Sequence, residues 1–320
     1  MKRVAMTLLS DSGLQRHKRK VALNDIEAIA ELYKINGYTP EILYTDDLKA
    51  KSDLNEYDTL FIFYGGVILF GGKQSPYLVH LIKMINSFKR NVVIFANDVM
   101  DKVVNRNDNP GFVSINRPVY YASPTGSGGS DSETSDFEIL ADLEINQSFI
   151  IGKRLAELPP VEQQPEFKII YGGRNRPAMV KRLNALSKRF SFLAYSKIAQ
   201  ALPKATEFKM DTLLNNAELR VLNSFGEYSL MLHEKKKEYF TTRVFEQLLS
   251  NSLVMFDRDW EVYMPFWNEW NTFSSMDELI EKIDQPYSKV RLQEQHEMVR
   301  NFDFDREIEK QAKALKEVIE

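Results

Sequence analysis

The feature that most narrows the fold of this chain is an alternation, through its first hundred residues, of short apolar runs with longer stretches of helical periodicity. Runs of that length suit strands buried on both faces, and the helical stretches between them suit crossovers, so βαβ units and a parallel sheet are expected. A first strand is expected over residues 2–9, followed by a polar, basic loop from Gly13 to Lys20. Asn24 then stands where a helix N-cap would, with Glu27 three residues on as a capping box requires. Ile26, Ile29, Ala30, Tyr33 and Ile35 recur at helical spacing, and Gly37 can end the helix in a left-handed conformation. Asp25 is therefore expected on the first turn, beside the carboxyl end of the first strand. Further strands are expected at Glu41–Tyr44, at Thr59–Tyr64 running into Gly65-Gly66, and, after a helix over Pro76–Phe88, at Val92–Ala96. Ligands of open α/β sheets bind outside the carboxyl ends of the strands, which is where Asn97-Asp98 falls.

The polar, proline-bearing stretch Leu158–Pro165 reads as a linker, and beyond it the pattern restarts. Strand Phe167–Tyr171 is followed by the turn Gly172-Gly173-Arg174-Asn175-Arg176-Pro177 and a helix from Ala178. More strands are expected at Ser191–Tyr195, Ser229–His233 and Leu253–Phe256, with a helix at Thr242–Ser250, and amphipathic helices close the chain at Met276–Ile283 and Asp305–Ile319. Two α/β domains follow: residues 1–163, joined by a C-terminal helix over 304–320, and residues 166–300. The stretch Ser123–Ser132, rich in Gly and Ser, reads as a surface loop.

Composition removes several classes of function. The sequence has no cysteine, so disulfide frameworks, thiolate metal sites and thiol nucleophiles are excluded. Its 42 basic and 45 acidic side chains give a net charge of −3, so a polyanion could be held only by a local patch. No apolar run approaches the roughly 20 residues that a membrane-spanning helix needs. His17, His80, His233 and His296 are scattered without metal-ligand spacing, and no serine lies in a G-x-S-x-G elbow.

Arginine and carboxylate chemistry remains. Paired glycines, Arg174, Arg176 and a helix N-terminus together suit a diphosphate, although a tight turn with solvated arginines fits the same residues. Arg243 and Glu246 lie three apart on one helical face, as a phosphate arginine and a ribose carboxylate would. A glutamate near a helix N-terminus also serves as a dipole-stabilising group. Glu238, eight residues before Glu246, gives the E-x7-E spacing of retaining two-domain glycosyltransferases. Arg16-His17-Lys18-Arg19-Lys20, with Lys102, Arg106 and Arg117, is either a solvated surface or a basic rim for a nucleic-acid backbone.

Taken in order along the chain, these residues resemble the DNA β-glucosyltransferase family of T-even bacteriophages. The resemblance rests on Leu69-Phe70-Gly71-Gly72-Lys73 after a strand, Asp98 after a strand, Asn116-Arg117-Pro118, and Ile170-Tyr171-Gly172-Gly173 followed by arginine. Thr242-Arg243-Val244-Phe245-Glu246 ahead of Val254-Met255-Phe256-Asp257 completes it. It implies a GT-B fold, an α/β architecture of two Rossmann-like domains with parallel sheets facing a central cleft. It also implies transfer of glucose, or a related sugar such as arabinose, from a UDP-sugar to 5-hydroxymethylcytosine in duplex DNA, with inversion and with base flipping. Asp98 matches the family's general base, and Asp25 falls where the family has a Glu near the sugar. Gly172, Gly173, Arg174 and Arg176 match the diphosphate turn, Arg243 and Glu246 the phosphate and ribose contacts, and Leu214 the position packed on uracil. Gly72, Lys73, Lys102, Asn116 and Arg117 are implied as DNA contacts. A UDP-glucose or UDP-pentose donor, with room for Mg2+ or Mn2+, a monomeric state and the cytoplasm of an infected bacterium complete what is implied. Competing readings are a GT-B transferase with another acceptor or retaining stereochemistry, and an inactive nucleotide- or DNA-binding protein on the same fold.

Overall fold

Parallel sheets demand strands that are apolar on both faces, and the computed structural model of the chain contains two such sheets. It describes residues 2–8, 18–64, 76–96, 115–124, 138–173, 176–209, 214–232, 240–259 and 261–320. The chain divides into two compact units, residues 1–150 with 305–320, and residues 151–304.

The first unit runs β1 (Lys2–Leu8), α1 (Lys18–Ile35), β2 (Tyr38–Leu43), α2 (Thr45–Ala50), β3 (Thr59–Tyr64), α3 (Pro76–Ser87), β4 (Asn91–Ala96), β5 (Val119–Ser123), β6 (Ile139–Glu144) and α4 (Ser148–Ala156), the last of which crosses into the second unit. Its sheet has the order β2-β1-β3-β4-β5-β6, with every pair parallel. The central strands are buried on both sides: Leu60, Phe61 and Ile62 of β3 are fully inaccessible, as are Val93 and Phe95 of β4. On one face Leu60, Ile62, Val92 and Ile94 pack with Leu81, Met84 and Ile85 of α3. On the other, Tyr33 of α1 meets Phe61 edge-on at 5.8 Å, and Phe61 stacks on Phe95 at 5.9 Å.

The first unit departs from the expected pattern at its first helix and second strand. The first helix begins at Lys18, so Asn24 lies about two turns inside it. Asn24 is no N-cap and Asp25 is not on the first turn; lysine, arginine, alanine and leucine are good helix formers and carry the helix upstream of the polar pair. Asp25 is instead a buried mid-helix residue. The second strand spans Tyr38–Leu43 rather than Glu41–Tyr44. Pro40 interrupts its apolar pattern, and it is tolerated because β2 is the edge strand, where a missing N–H costs no ladder bond.

The second unit runs β7 (Phe167–Gly172), α5 (Pro177–Arg189), β8 (Phe192–Tyr195), β9 (Thr206–Phe208), α6 (Asn216–Asn223), β10 (Gly226–Met231), α7 (Thr242–Leu248), β11 (Leu253–Asp257), β12 (Thr272–Phe273), α8 (Met276–Asp284) and α9 (Lys289–Arg300). Its sheet order is β12-β11-β10-β7-β8-β9, again parallel throughout. One face packs Ile169, Tyr171, Tyr228 and Leu230 against Met179, Leu183 and Leu186 of α5 and Leu279 and Ile283 of α8. The other joins Ile170, Leu193 and Tyr195 to Leu222 of α6.

The final helix, α10 (Phe304–Ile319), returns to the first unit. Asn36 donates to the carbonyl of Ala312 at 2.8 Å, Tyr38 to that of Ile319 at 3.2 Å, and the Asn146 amide to Gln311 Oε1 at 2.7 Å. Ile308, Ala312, Leu315 and Ile319 recur at helical spacing and are all buried. Leu315→Ala is expected to destabilise the protein by about 2–5 kcal/mol, since the side chain is fully enclosed; urea denaturation measures this.

Candidate functional site

In each sheet one strand is the origin from which the order runs both ways. In the second unit that strand is β7, with β8 on one side and β10 on the other, so the topological switch point lies between β7 and β10. The carboxyl end of β7 is Gly172, where backbones must approach closely. Gly172 stands opposite Tyr195 of β8 in register, and a Cβ on Gly172 would fall 1.9 Å from Cε2 of the Tyr195 ring. Only glycine leaves room for that ring. Tyr195 is buried, and its hydroxyl donates to Asn223 Oδ1 at 3.4 Å.

The carbonyl of Gly172 accepts a hydrogen bond from Arg243 Nη2 on α7. The Arg243 guanidinium also lies over the Tyr171 ring, 5.5 Å from its centre. Burial alone would pull its pKa down, but Tyr195, Tyr171 and Glu246 outweigh that and raise it, so the cation is retained. A planar guanidinium seated by one carbonyl and one aromatic face keeps further N–H groups for an anionic ligand.

One turn on, Glu246 is 5 % exposed, and its Oε1 accepts from Asn216 Nδ2 at 2.6 Å. Burial is the main influence on its carboxyl and raises the pKa to about 7, against the smaller lowering effects of Asn216 and Arg243. Strongly shifted carboxyls at the mouth of a parallel sheet are candidates for function. Leu214, two residues before Asn216, is partly buried against the cluster of Ile170, Leu193, Tyr195 and Leu222.

The glycine turn leads into α5. Gly173 accepts the Ile198 amide through its carbonyl, at 2.9 Å, and Arg176 is the residue preceding the helix, with Pro177 at the first helical position. Proline suits that position because its missing N–H would have had no intrahelical partner. The first turn of α5 contains no acidic residue, and the Arg176 side chain makes no capping bond to it. Such an end suits an anion. Gly172, Gly173, Arg176, Leu214, Arg243 and Glu246 thus all lie in the second unit, around the carboxyl end of β7. Arg174, Glu238 and His233 lie outside the described residues.

In the first unit, Asp98, Gly72, Lys73, Lys102, Arg106 and His17 also lie outside the described residues. Asn116 is exposed. Arg117 donates to the carbonyls of Phe88 and Arg90, fixing the corner between α3 and β4, and burial lowers its pKa. Among the described residues no group of three or more His, Asp or Glu could hold a metal ion, and no helix is long and apolar enough to cross a membrane.

Sequence reasoning missed Tyr195 and Asn216. Neither carries a local signal: Tyr195 matters only because β8 sets it opposite Gly172, and Asn216 only because α6 packs beside α7. The Asn215-x-x-Glu218 capping box, which starts α6, is the one clue the sequence offers.

No protein-family model matches the chain, and no curated protein matches it by sequence. Solved structures match it along its whole length. T4 phage BGT in complex with its UDP-glucose substrate is similar with a TM-score of 0.66 at 14% identity, each chain covered to 100%. An aspartate-to-alanine mutant of T4 phage BGT in complex with UDP-glucose gives a TM-score of 0.67 at 15% identity, again over 100% of both chains. The DNA modifying enzyme β-glucosyltransferase gives 0.63 at 14% identity, over 100% of this chain and 99% of the other. The fold is therefore that of these enzymes, two all-parallel α/β units as the resemblance implied.

Two outcomes are expected from the site's packing. Gly172→Ala should destabilise the protein by about 1–3 kcal/mol or more in chemical denaturation, because the added methyl overlaps the Tyr195 ring. For Glu246 the native carboxyl holds its proton up to about pH 7, whereas the unfolded one loses it near pH 4.5. Its contribution to stability is therefore full below pH 4.5 and is lost as pH rises through about 7, a change of roughly 3 kcal/mol. Glu246→Gln should remove that slope, so its stability relative to the parent protein improves across the interval when unfolding is followed at several pH values.

Proposed function

We propose that this protein is an inverting glycosyltransferase that moves a sugar, glucose or a related one such as arabinose, from a UDP-sugar to the hydroxymethyl group of 5-hydroxymethylcytosine in phage duplex DNA. The single observation that carries the reading is the full-length match to UDP-glucose-bound T4 phage BGT, joined to an arginine–glutamate pair at the switch point of the second sheet. In this reading the second unit holds the donor. Arg243, Arg174 and Arg176 with the Gly172-Gly173 turn and the first turn of α5 grip the diphosphate, Glu246 takes the ribose, and Leu214 packs on the uracil.

The first unit takes the acceptor. Asp98, two residues beyond the end of β4, is the general base, and Asp25 stands near the sugar. Gly72, Lys73, Lys102 and the exposed Asn116 contact the DNA, with Arg117 fixing the backbone on which Asn116 stands. The base must leave the stack for its hydroxymethyl group to be reached. In the reaction the hydroxymethyl oxygen forms a bond to the anomeric carbon while the carbon–oxygen bond to UDP breaks. Asp98 takes the hydroxyl proton, and UDP departs with the bonding electron pair. General-base assistance of this kind is worth typically about 10²–10⁴-fold. The arginines and helix amides stabilise the charge that grows on the diphosphate.

The test is to incubate the protein with hydroxymethylated or unmodified duplex DNA and a panel of UDP-sugars, and to read nucleoside mass and anomeric configuration. Transfer to hydroxymethylated DNA alone, as a β-linkage from an α-donor, is expected. Asp98→Ala should abolish transfer while leaving UDP-sugar binding intact. An α-linked product would defeat single displacement, and absence of transfer to any hydroxymethylated DNA would defeat the proposal.

A further inference from the structure

The Glu246 carboxylate has two oxygens with room for about four hydrogen bonds, and among the described residues one donor reaches it. Oε1 accepts from Asn216 at 2.6 Å, and no described residue donates to Oε2. Asn216 is itself buried, and its place is set by its neighbours. It is the first residue of α6, and the preceding Asn215 is locked in a reciprocal cap: its side chain accepts from the Glu218 amide at 2.9 Å while Glu218 accepts from the Asn215 amide at 2.7 Å. Two residues upstream, Leu214 is packed against Ile170, Leu193, Tyr195 and Leu222. The segment 214–216 is thereby tied to the sheet on one side and to Glu246 on the other.

We propose that Asn216 is the positioning residue of the nucleotide site, holding Glu246 by Oε1 so that Oε2 is presented to the ribose diol of a ribonucleoside diphosphate sugar. This rests on the donor reading given above and deepens it, because it makes the pair a discriminator between ribose and deoxyribose. Among the described residues, the groups facing the carboxyl are Arg243 on its own helix, Asn216 from α6 and Tyr195 from β8, with Tyr171 of β7 beneath Arg243. Asn216 donates to the ionised form, and its bond opposes the effect of burial on Glu246. A diol donates to the ionised form too, so donor binding and loss of the Glu246 proton go together. Nucleotide affinity should rise with pH until Glu246 is ionised, and removing Asn216 should move that rise to higher pH.

The test measures binding of UDP-glucose and of its 2′-deoxyribose analogue by calorimetry from about pH 5.5 to about pH 8, a range that brackets the titration of the Glu246 carboxyl and leaves the uracil imide protonated. Full-length protein, Asn216→Ala and Asn216→Asp are compared, with melting curves to check folding. The parent protein is expected to favour UDP-glucose about tenfold or more, the worth of one hydrogen bond to a charged group. Asn216→Ala should weaken UDP-glucose binding about tenfold near neutrality, lose most of the preference, and recover at the alkaline end. Asn216→Asp, nearly the same size, should move the pH dependence further up, because a second carboxyl makes ionisation of Glu246 harder. It decides the matter if the alanine variant does not fold. An unchanged pH profile and preference in the variants, or an equal loss at every pH and for both ligands, would overturn the positioning role. Failure of the parent protein to bind UDP-glucose at any pH would instead remove the donor reading, and this inference with it.

Discussion

The close approach of three chain segments at Gly172 is the constraint on which the second unit's site depends. Because residue 172 has no Cβ, the Tyr195 ring can lie across the end of β7, and the Gly172 carbonyl is left for Arg243. Arg243 is then fixed between that carbonyl and the Tyr171 ring, and the helix bearing it carries Glu246 one turn further on. A larger residue at 172 would displace the tyrosine, and with it the relation between β7 and α7. One missing methyl thus sets the geometry of a cation and a carboxyl that belong to a different part of the sequence.

The same packing accounts for the electrostatics. Enclosing Glu246 raises its pKa toward neutrality, with one neutral amide and one cation opposing the shift only in part. A carboxyl held near its own midpoint at physiological pH costs stability that an ordinary surface glutamate would not. In the proposed function, ribose hydroxyls donate to the Glu246 carboxylate when the nucleotide binds, so part of the cost of enclosing it is offset in the complex. Arg220 shows the structural counterpart. It is equally buried, yet its guanidinium is satisfied by the carbonyls of Leu249, Leu155 and Pro159 near the ends of α7 and α4, and it holds those elements together without a carboxylate partner.

Parallel sheets make such sites recur. Strands buried on both faces are written as continuous apolar runs, a pattern that many sequences satisfy, and right-handed crossovers bring the following loops to one end of the sheet. Sequence identity can therefore drift far while the switch point stays where it was. Here the switch between β7 and β10 brings the turn 172–176 and helix α7 to the same end of the sheet, although some seventy residues separate them in the chain.

The sequence alone determined the two-fold repeat of α/β pattern, the strands at Thr59–Tyr64 and Val92–Ala96, those at Phe167–Tyr171 and Leu253–Phe256 to within one residue, and the placing of Arg243 and Glu246 on one helical face. Those are matters of local periodicity, which apolar runs and i, i+3 spacing express directly. Strands β6, β9 and β12 were not legible, because edge strands carry weak patterns and form where a neighbour offers its backbone; the interior strand β5 was not read either. The start of α1 was misplaced because a local cap signal at Asn24 lost to helix propensity upstream of it. Tertiary structure alone decided that Tyr195 covers Gly172, that Asn216 holds Glu246 and that Arg117 is bound to backbone carbonyls, because each depends on which elements lie side by side. Spacing along the chain says which residues share a face; only packing says what that face meets.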